Sequence, residues 1–273
     1  MQFVPGFSRK LEDDAGVYAV LSGASLLCAD GTPWQPLDRA SWRFLGLAPR
    51  EQHYIGRYGD QACYAVDVDS EAPLPAGYHW APLRSLIVAA AIGTAEFNLA
   101  SCALQVFNWD RSHQYCGRCG NPTIAHSKER ARVCEGCEIN YYPRISPCVI
   151  MLVTRGDECL LARNVQFKNN FFSALAGFVE PGETAEAAVH REVAEEVSVT
   201  LGKLHYFGSQ PWPYPGQLML GFHADYEAGD IVPDGVEIAE ARWWHYQDLP
   251  PIPAAGTLSG MLIRHFVASR SAQ

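Results

Sequence analysis

The spacing of hydrophobic and polar positions changes several times along the chain. Residues 16–28 (GVYAVLSGASLLC) read as a short hairpin and residues 62–68 (ACYAVDV) as a strand. Residues 82–107 are helix-prone, with alanine and leucine on more than one face. Residues 146–154 (SPCVIMLVT) are a β-branched apolar run that ends at Arg155-Gly156-Asp157, a hairpin signal, with the return strand over 158–162. A glycine-bounded loop and one strong helix follow. Strand-like stretches lie near 218–226 and 241–245, and a helix over 257–268 closes the chain. No internal repeat or low-complexity tract is visible. The longest clean apolar run, 86–92, is far shorter than the roughly 20 residues of a membrane span. The N-terminal residues, with Arg9, Lys10, Glu12, Asp13 and Asp14, contain no apolar stretch of signal-peptide length. A soluble, cytoplasmic protein without a membrane partner is expected.

Composition narrows the class. At 273 residues the chain suits two domains or one larger one, and 48% hydrophobic with 19% charged residues suits a globular core. The net charge of −9 argues against a surface that grips nucleic acid everywhere. Residues 1–110 hold 7 basic and 12 acidic side chains, residues 111–145 hold 6 and 3, and residues 146–273 hold 8 and 15. Only the middle segment is basic, through Arg111, Arg118, Lys128, Arg130, Arg132 and Arg144. It reads either as the solvated surface of a small ribbon or as a local landing site for phosphates.

The same segment holds the informative cysteines. Cys116-Gly-Arg-Cys119 and Cys134-Glu-Gly-Cys137 are two C-x-x-C pairs with fourteen residues between them. Each pair puts two thiolates on one tight knuckle, and two knuckles complete the four-sulfur tetrahedron of structural zinc. Two redox dithiols would need a thioredoxin-like strand–helix context, which is absent. A four-cysteine site has no open position, so its metal holds structure. The other five cysteines read as buried small hydrophobes.

The decisive stretch is residues 177–199. Pro181-Gly182 is a turn, and Thr184 can cap the helix that follows. Val189, Val193 and Val197 recur every four residues as a core stripe, while Glu192, Glu195 and Glu196 stand at i, i+3 and i+4 on a different face. Three anions so close repel one another. Hard divalent cations reward the arrangement, because they take oxygen ligands and bridge to phosphate oxygens.

This stretch resembles the Nudix box, G-x5-E-x7-R-E-U-x-E-E-x-G-U, at Gly177, Glu183, Arg191, Glu192, Val193, Glu195, Glu196 and Val199. Ser198 stands where the pattern has glycine, which alters the turn at the helix end without touching the carboxylates. The resemblance implies an α/β/α Nudix sandwich that hydrolyses a nucleoside diphosphate linked to another moiety. It makes Glu192 and Glu196 ligands of catalytic magnesium or manganese, and the Ala176 carbonyl a further contact. Glu195 assists them as a further metal ligand and helps to activate the attacking water.

A second signature is Ser209-Gln210-Pro211-Trp212-Pro213-Tyr214-Pro215. Prolines at alternate positions favour an extended backbone, and two large aromatics between them offer a platform for a flat ring, or alternatively an aromatic turn in the core. The segment resembles the SQPWPFP motif of the NADH pyrophosphatase branch, which also carries a four-cysteine ribbon directly before its Nudix domain. Tyr214 replaces a phenylalanine, and Gln217, after Gly216, stands where serine is usual. The branch implies that residues 210–217 bind substrate, that Phe178 stacks on the nicotinamide, and that Glu129 and Tyr142 contact substrate. It makes Glu237 an additional metal ligand and Ser259 a backbone contact, and Arg84 matches a distant arginine if a short insertion is allowed. It also implies a homodimer and the removal of NAD caps from RNA 5′ ends.

The chain is thus expected to be α+β. A mixed α/β domain over 1–110 leads to a zinc ribbon over 111–145 and a Nudix sandwich over 146–273. Cleavage of NAD(H) to NMN(H) and AMP leads. A broader Nudix hydrolase of ADP-ribose or dinucleoside polyphosphates is the alternative, and a zinc-ribbon regulator with a dead Nudix fold has no use for three crowded carboxylates.

Overall fold

The computed structural model describes residues 1–7, 16–69, 71–88, 92–166 and 170–271. The chain divides into two compact units, Met1–Arg144 and Ile145–Gln273. In chain order the first unit contains strands β1 (Phe3–Pro5), β2 (Val17–Ser22), β3 (Ser25–Ala29) and β4 (Leu37–Asp38), then helix α1 (Arg39–Phe44). Strands β5 (Pro49–Tyr58), β6 (Gln61–Val68) and β7 (Tyr78–Pro82) and helices α2 (Arg84–Val88) and α3 (Ala95–Ser112) follow. Three short strands, β8 (Ile124–Ala125), β9 (Arg132–Cys134) and β10 (Ile139–Tyr141), form a separate antiparallel ribbon. The second unit contains β11 (Ser146–Arg155), β12 (Glu158–Asn164), β13 (Leu175–Phe178), α4 (Ala185–Val197), β14 (Thr200–Trp212), β15 (Gln217–Ala228), β16 (Ile238–His245) and α5 (Leu258–Ser271).

Strand alternation builds the second unit. On β11, Val149, Met151 and Val153 face one way and pack with Ala188, Val189, Val193 and Val197 of α4. Ile150 and Leu152 face the other way and pack with Leu258, Leu262, Ile263 and Phe266 of α5. One strand therefore anchors both helix layers, which is the expected α/β/α sandwich. The sheet runs β14-β15-β11-β12-β16, with β11 parallel to β15 and β13 antiparallel on β11. The hairpin expected at Arg155-Gly156-Asp157 is there, with Arg155 paired to Glu158 across Gly156 (φ +53°).

The first unit repeats this plan. Its sheet runs β5-β6-β2-β3-β7, extended at one edge by β1. Here β2 is parallel to β6, a hairpin joins β2 to β3, and β4 pairs antiparallel with β2 before a helix follows. The chain therefore contains a topological repeat that its residues do not display. Tyr18, Val20, Leu27, Tyr64 and Val66 form the core on the face that also takes Trp42 of α1.

The helix-prone segment 82–107 divides in two. Among the described residues α2 and α3 are separated by Gly93 (φ +87°) and by Thr94, whose hydroxyl accepts the Phe97 N–H at 3.2 Å and caps α3; residues 89–91 lie outside the described residues. No helix among the described residues is long and apolar enough to cross a membrane.

Candidate active site

Helix α4 is fixed at both ends. Thr184 Oγ1 accepts the Ala187 N–H at 3.1 Å, and Ser198 closes the helix in the left-handed region (φ 60°, ψ 24°), where its N–H reaches the Ala194 carbonyl. A residue with a Cβ pays about 1 kcal/mol there relative to glycine, and the fold tolerates it. Val189, Val193 and Val197 are fully buried, and the three glutamates fan out from the edge of that stripe, Glu196 nearest to it and Glu195 farthest out.

The glutamates are not equivalent. Glu195 keeps 61% of its side chain exposed, whereas Glu196 is only 5% exposed as a residue. Glu196 Oε2 is shielded from solvent and has no hydrogen-bond partner. Burial pushes the Glu196 carboxyl up to about 8, and Glu192, Glu237, Asp234 and Glu195 push it the same way. Burial raises Glu192 as well. Glu192 lies directly on the β13 backbone: a Cβ at Gly177 would stand 1.9 Å from its Cδ. That clash gives the first glycine of the box its physical reason, and Ala176 is the adjoining residue.

Arg191 ties the site together. Its Nε donates to Glu183 Oε1, its Nη1 to Glu192 Oε1 and Glu195 Oε2, and its Nη2 to Glu183 Oε2 and the Phe178 carbonyl, at 2.8–2.9 Å. All five donors are engaged. The Arg191 hydrogen bonds hold Glu183 below the usual carboxylate range.

Glu237 approaches from the loop before β16. Val232 and Asp234 donate their N–H groups to the carbonyls of Val197 and Glu196, and the Glu237 carbonyl accepts the Val165 N–H at 2.9 Å. The Asp234 carboxylate accepts N–H bonds from Val236, Glu237 and Ile238, which shapes the loop and holds Asp234 below its usual range. Sequence reasoning missed Asp234, although the Asp234-Gly235 pair is a turn signal. The donor set fits a hard divalent cation: a shielded carboxylate oxygen without a partner, with further carboxylates close enough that their charges push Glu192 and Glu196 upward.

The aromatic motif departs from a uniformly extended platform. Residues up to Trp212 end β14, but Pro213, Tyr214, Pro215 and Gly216 form the turn that reverses the chain into β15, with a cis Tyr214–Pro215 bond. Antiparallel partners joined by four residues require that reversal. Trp212 and Tyr214 meet edge to face, with centroids 6.0 Å apart at 72°. Pro211 and Pro215 are exposed, Pro213 and Gly216 are buried, and Gln217 is half-buried. The Gln210 side chain works within the fold: Nε2 donates to the Gly256 carbonyl at 2.8 Å, and Oε1 accepts the Leu258 N–H at 2.9 Å, pinning the start of α5. Ser259 Oγ is likewise engaged with Ser173 Oγ and the Ala174 N–H. Phe178 ends β13 with 48% of its surface exposed.

In the first unit, Sγ atoms of Cys116, Cys119, Cys134 and Cys137 lie within 4.8 Å of one another. The Gly120 N–H closes the first knuckle onto the Cys116 carbonyl, and the Gly117 N–H donates to Tyr141 Oη, freeing that hydroxyl to donate to Cys116 Sγ at 3.0 Å. This bond lowers the Cys116 thiol to about 6, while the neighbouring thiols push Cys137 up to about 12. Only a cation makes thiolates of all four together, and the set fits structural zinc. Glu129 and Tyr142, joined by a 2.6 Å hydrogen bond, are exposed in this unit, as is Arg84 at the start of α2. The basic segment is less of a landing site than its count implies. Arg132 is bound to Asp110, Arg111 to Asp67, and Arg130 to the carbonyls of Gly6 and Tyr54.

Three family models match in succession: the NADH pyrophosphatase-like rudimentary NUDIX domain over 15–109, the NADH pyrophosphatase zinc ribbon domain over 111–142, and the NUDIX domain over 144–264. The NAD-capped RNA hydrolase NudC of Pseudomonas syringae pv. tomato is 46% identical over 264 residues, 96% of this chain and 92% of the relative. Its namesake in Pseudomonas syringae pv. syringae is 47% identical over 82% of this chain and 80% of the relative. Among solved structures, a NUDIX hydrolase from Nitrosomonas europaea is 21% identical over 59% of this chain and 94% of that one, with a TM-score of 0.49. With its box glutamates gathered on α4, its four cysteines converging and its near-full-length likeness to these relatives, the chain belongs to the Nudix hydrolases, in the NADH pyrophosphatase branch that carries a zinc ribbon.

Proposed function

We propose that the protein hydrolyses the pyrophosphate of NAD(H) to NMN(H) and AMP, and removes NAD caps from RNA 5′ ends to leave a monophosphate. The observation that carries the reading is the shielded, unpartnered Glu196 carboxylate within a glutamate face, on a chain similar along 96% of its length to a relative named NAD-capped RNA hydrolase. Water attacks one phosphorus, the bridging P–O bond breaks, and the departing phosphate takes the proton. Bound magnesium or manganese supplies neutralisation of the charge that develops on the phosphoryl oxygens. Glu192 and Glu196 would hold the cations with Glu237 and the Ala176 carbonyl, while Glu195, the most exposed of the three clustered glutamates, assists and orients the water. Arg191 fixes Glu192 and Glu195 relative to Phe178.

Phe178 stacks on the nicotinamide, and the turn from Gln210 to Gln217 recognises the other flat ring with Trp212 and Tyr214. Glu129, Tyr142, Arg84 and the Ser259 backbone complete substrate binding in a homodimer. The division into 1–110, 111–145 and 146–273 separates a scaffold, a zinc-held ribbon and the hydrolase. The cytoplasm, where thiols stay reduced, suits nine cysteines of which none forms a disulfide. The test is product analysis with NADH and magnesium: AMP and NMNH are expected in equal amounts. Release of free nicotinamide, or cleavage of ADP-ribose with NADH untouched, would refute the reading. Competition between free and RNA-linked NAD at matched concentration then ranks the substrates.

A further inference from the structure

Besides the four cysteines and the glutamate helix, the first unit gathers another set of metal-ligating side chains. Glu51 and His53 stand two apart on β5, so strand alternation puts them on one face. Asp110 belongs to the last turn of α3, which packs across β5. One ligand atom from each of the three lies within 4.8 Å of the others.

Two of these atoms are orphaned. Glu51 Oε2 and His53 Nε2 are both shielded from solvent without a hydrogen-bond partner, and His53 Nε2 stands 3.8 Å from Asp110 Oδ2, beyond hydrogen-bond reach. A buried polar atom left unmatched costs about 1–3 kcal/mol, so two converging on one buried carboxylate is an unstable arrangement unless something joins them. Asp110 itself is anchored: Oδ1 accepts from Arg132 Nη1 at 2.8 Å, and Oδ2 accepts from Gln114 Nε2 at 3.1 Å. Each carboxylate oxygen has two lone pairs, so Oδ2 retains acceptor capacity beside His53. The carbonyl end of α3 also favours positive charge at its last turn. Arg111 faces the same neighbourhood but is paired with Asp67. Glu51 also lines an open pocket of about 610 Å³ with Ser22, Gly23, Arg50, Asp67 and Arg111.

We propose that Glu51, His53 and Asp110 bind a divalent transition-metal cation, of the Mn²⁺ to Zn²⁺ class, at a site separate from the zinc ribbon and the catalytic glutamates. One imidazole nitrogen with two carboxylates selects this class over the all-oxygen preference of calcium and magnesium. Bound there, the cation clamps β5 to the end of α3.

The test uses the full chain carrying Glu192→Gln and Glu196→Gln, with zinc left in the ribbon, titrated with Mn²⁺ and followed by the electron paramagnetic resonance of the free ion. One Mn²⁺ per chain is expected, with binding at least tenfold weaker after His53→Ala or Glu51→Gln. No uptake, or equal uptake with His53→Ala, overturns the proposal and leaves a proton shared between Glu51 and Asp110 as the account of the cluster. A second measurement needs no variant: in the unsubstituted chain saturating Mn²⁺ is expected to broaden the His53 ring-proton resonances beyond detection. Sharp His53 signals under saturation overturn the site.

Discussion

The two units have the same strand order and the same parallel pair at the centre, yet only one carries a glutamate helix. Within the shared strand plan, the divergence that separates them lies in the stretch after the short strand that pairs with the central one. In the second unit, β13 leads through Pro181-Gly182 to thirteen residues of α4, with a buried valine stripe on one side and glutamates on the other. In the first unit the two-residue β4 leads directly to the six residues of α1, RASWRF, which contain no carboxylate and bury none of their side chains fully. Asp38, the acidic residue nearest that position, caps α1 by accepting the Ser41 N–H at 2.7 Å. The sheet is therefore a frame indifferent to chemistry. What differs is whether the inserted helix is long enough to bury one face while crowding carboxylates beside it.

The comparison breaks most directly at Glu196. Glu196→Gln is expected to lower kcat for NADH by about 10²–10³-fold, whereas Arg43→Gln on α1 leaves kcat unchanged; equal effects would show that the helix is not the catalytic difference. The same variant sharpens the electrostatics. With metal chelated, the folded state keeps Glu196 protonated up to about pH 8, while the unfolded chain releases that proton near 4.5. The Glu196 contribution to stability is full below pH 4.5 and is lost as pH rises to 8, and Glu196→Gln should remove that part of the decline in urea melts.

Cys119→Ser addresses the first unit, where metal holds structure. Loss of zinc by elemental analysis and a lower melting transition are expected, because ligand binding there is folding energy. Full zinc content in the variant would refute the four-thiolate site. Gly177→Ala is expected to cost about 1–3 kcal/mol of stability, since the new methyl must displace Glu192 from β13. It should also reduce kcat; unchanged kcat and melting temperature would mean that Glu192 does not need that seat.

The smallest effect concerns the second unit alone. Burial, then His265 and His205, lowers His223 to about 4, so the folded state resists a proton that the unfolded state takes near 6.5. Its contribution is full above pH 6.5 and is lost between 6.5 and 4. Allowing for its partial exposure, about 1–2 kcal/mol is at stake. His223→Gln should flatten that segment of the stability–pH curve, and an unchanged slope would assign it to carboxylates instead.

Local signals were legible in the sequence. The cap at Thr184, the valine spacing and the paired C-x-x-C motifs each depend on neighbours a few residues apart, and each appears in the structure. Contacts between distant partners were not legible. Nothing in the motif around Gln210 announces that its amide bonds residues more than forty positions away. The charge count over 111–145 could not reveal that Arg111 and Arg132 neutralise Asp67 and Asp110. The repeat escaped notice because matching topology asks only for buried apolar runs, and VYAVLS in β2 shares little else with SPCVIMLVTR in β11.

The saturation of Arg191 has a consequence for substitution. An arginine beside a phosphate-cleaving centre invites assignment as an anion receptor, but a guanidinium with every donor engaged can greet a phosphate only by releasing a glutamate or the Phe178 carbonyl. Lysine in its place would keep the charge and still leave two of those five contacts unfilled, since an ammonium has three donors and no planar fork. What the position demands is reach in several directions at once, so even the charge-conserving exchange is damaging.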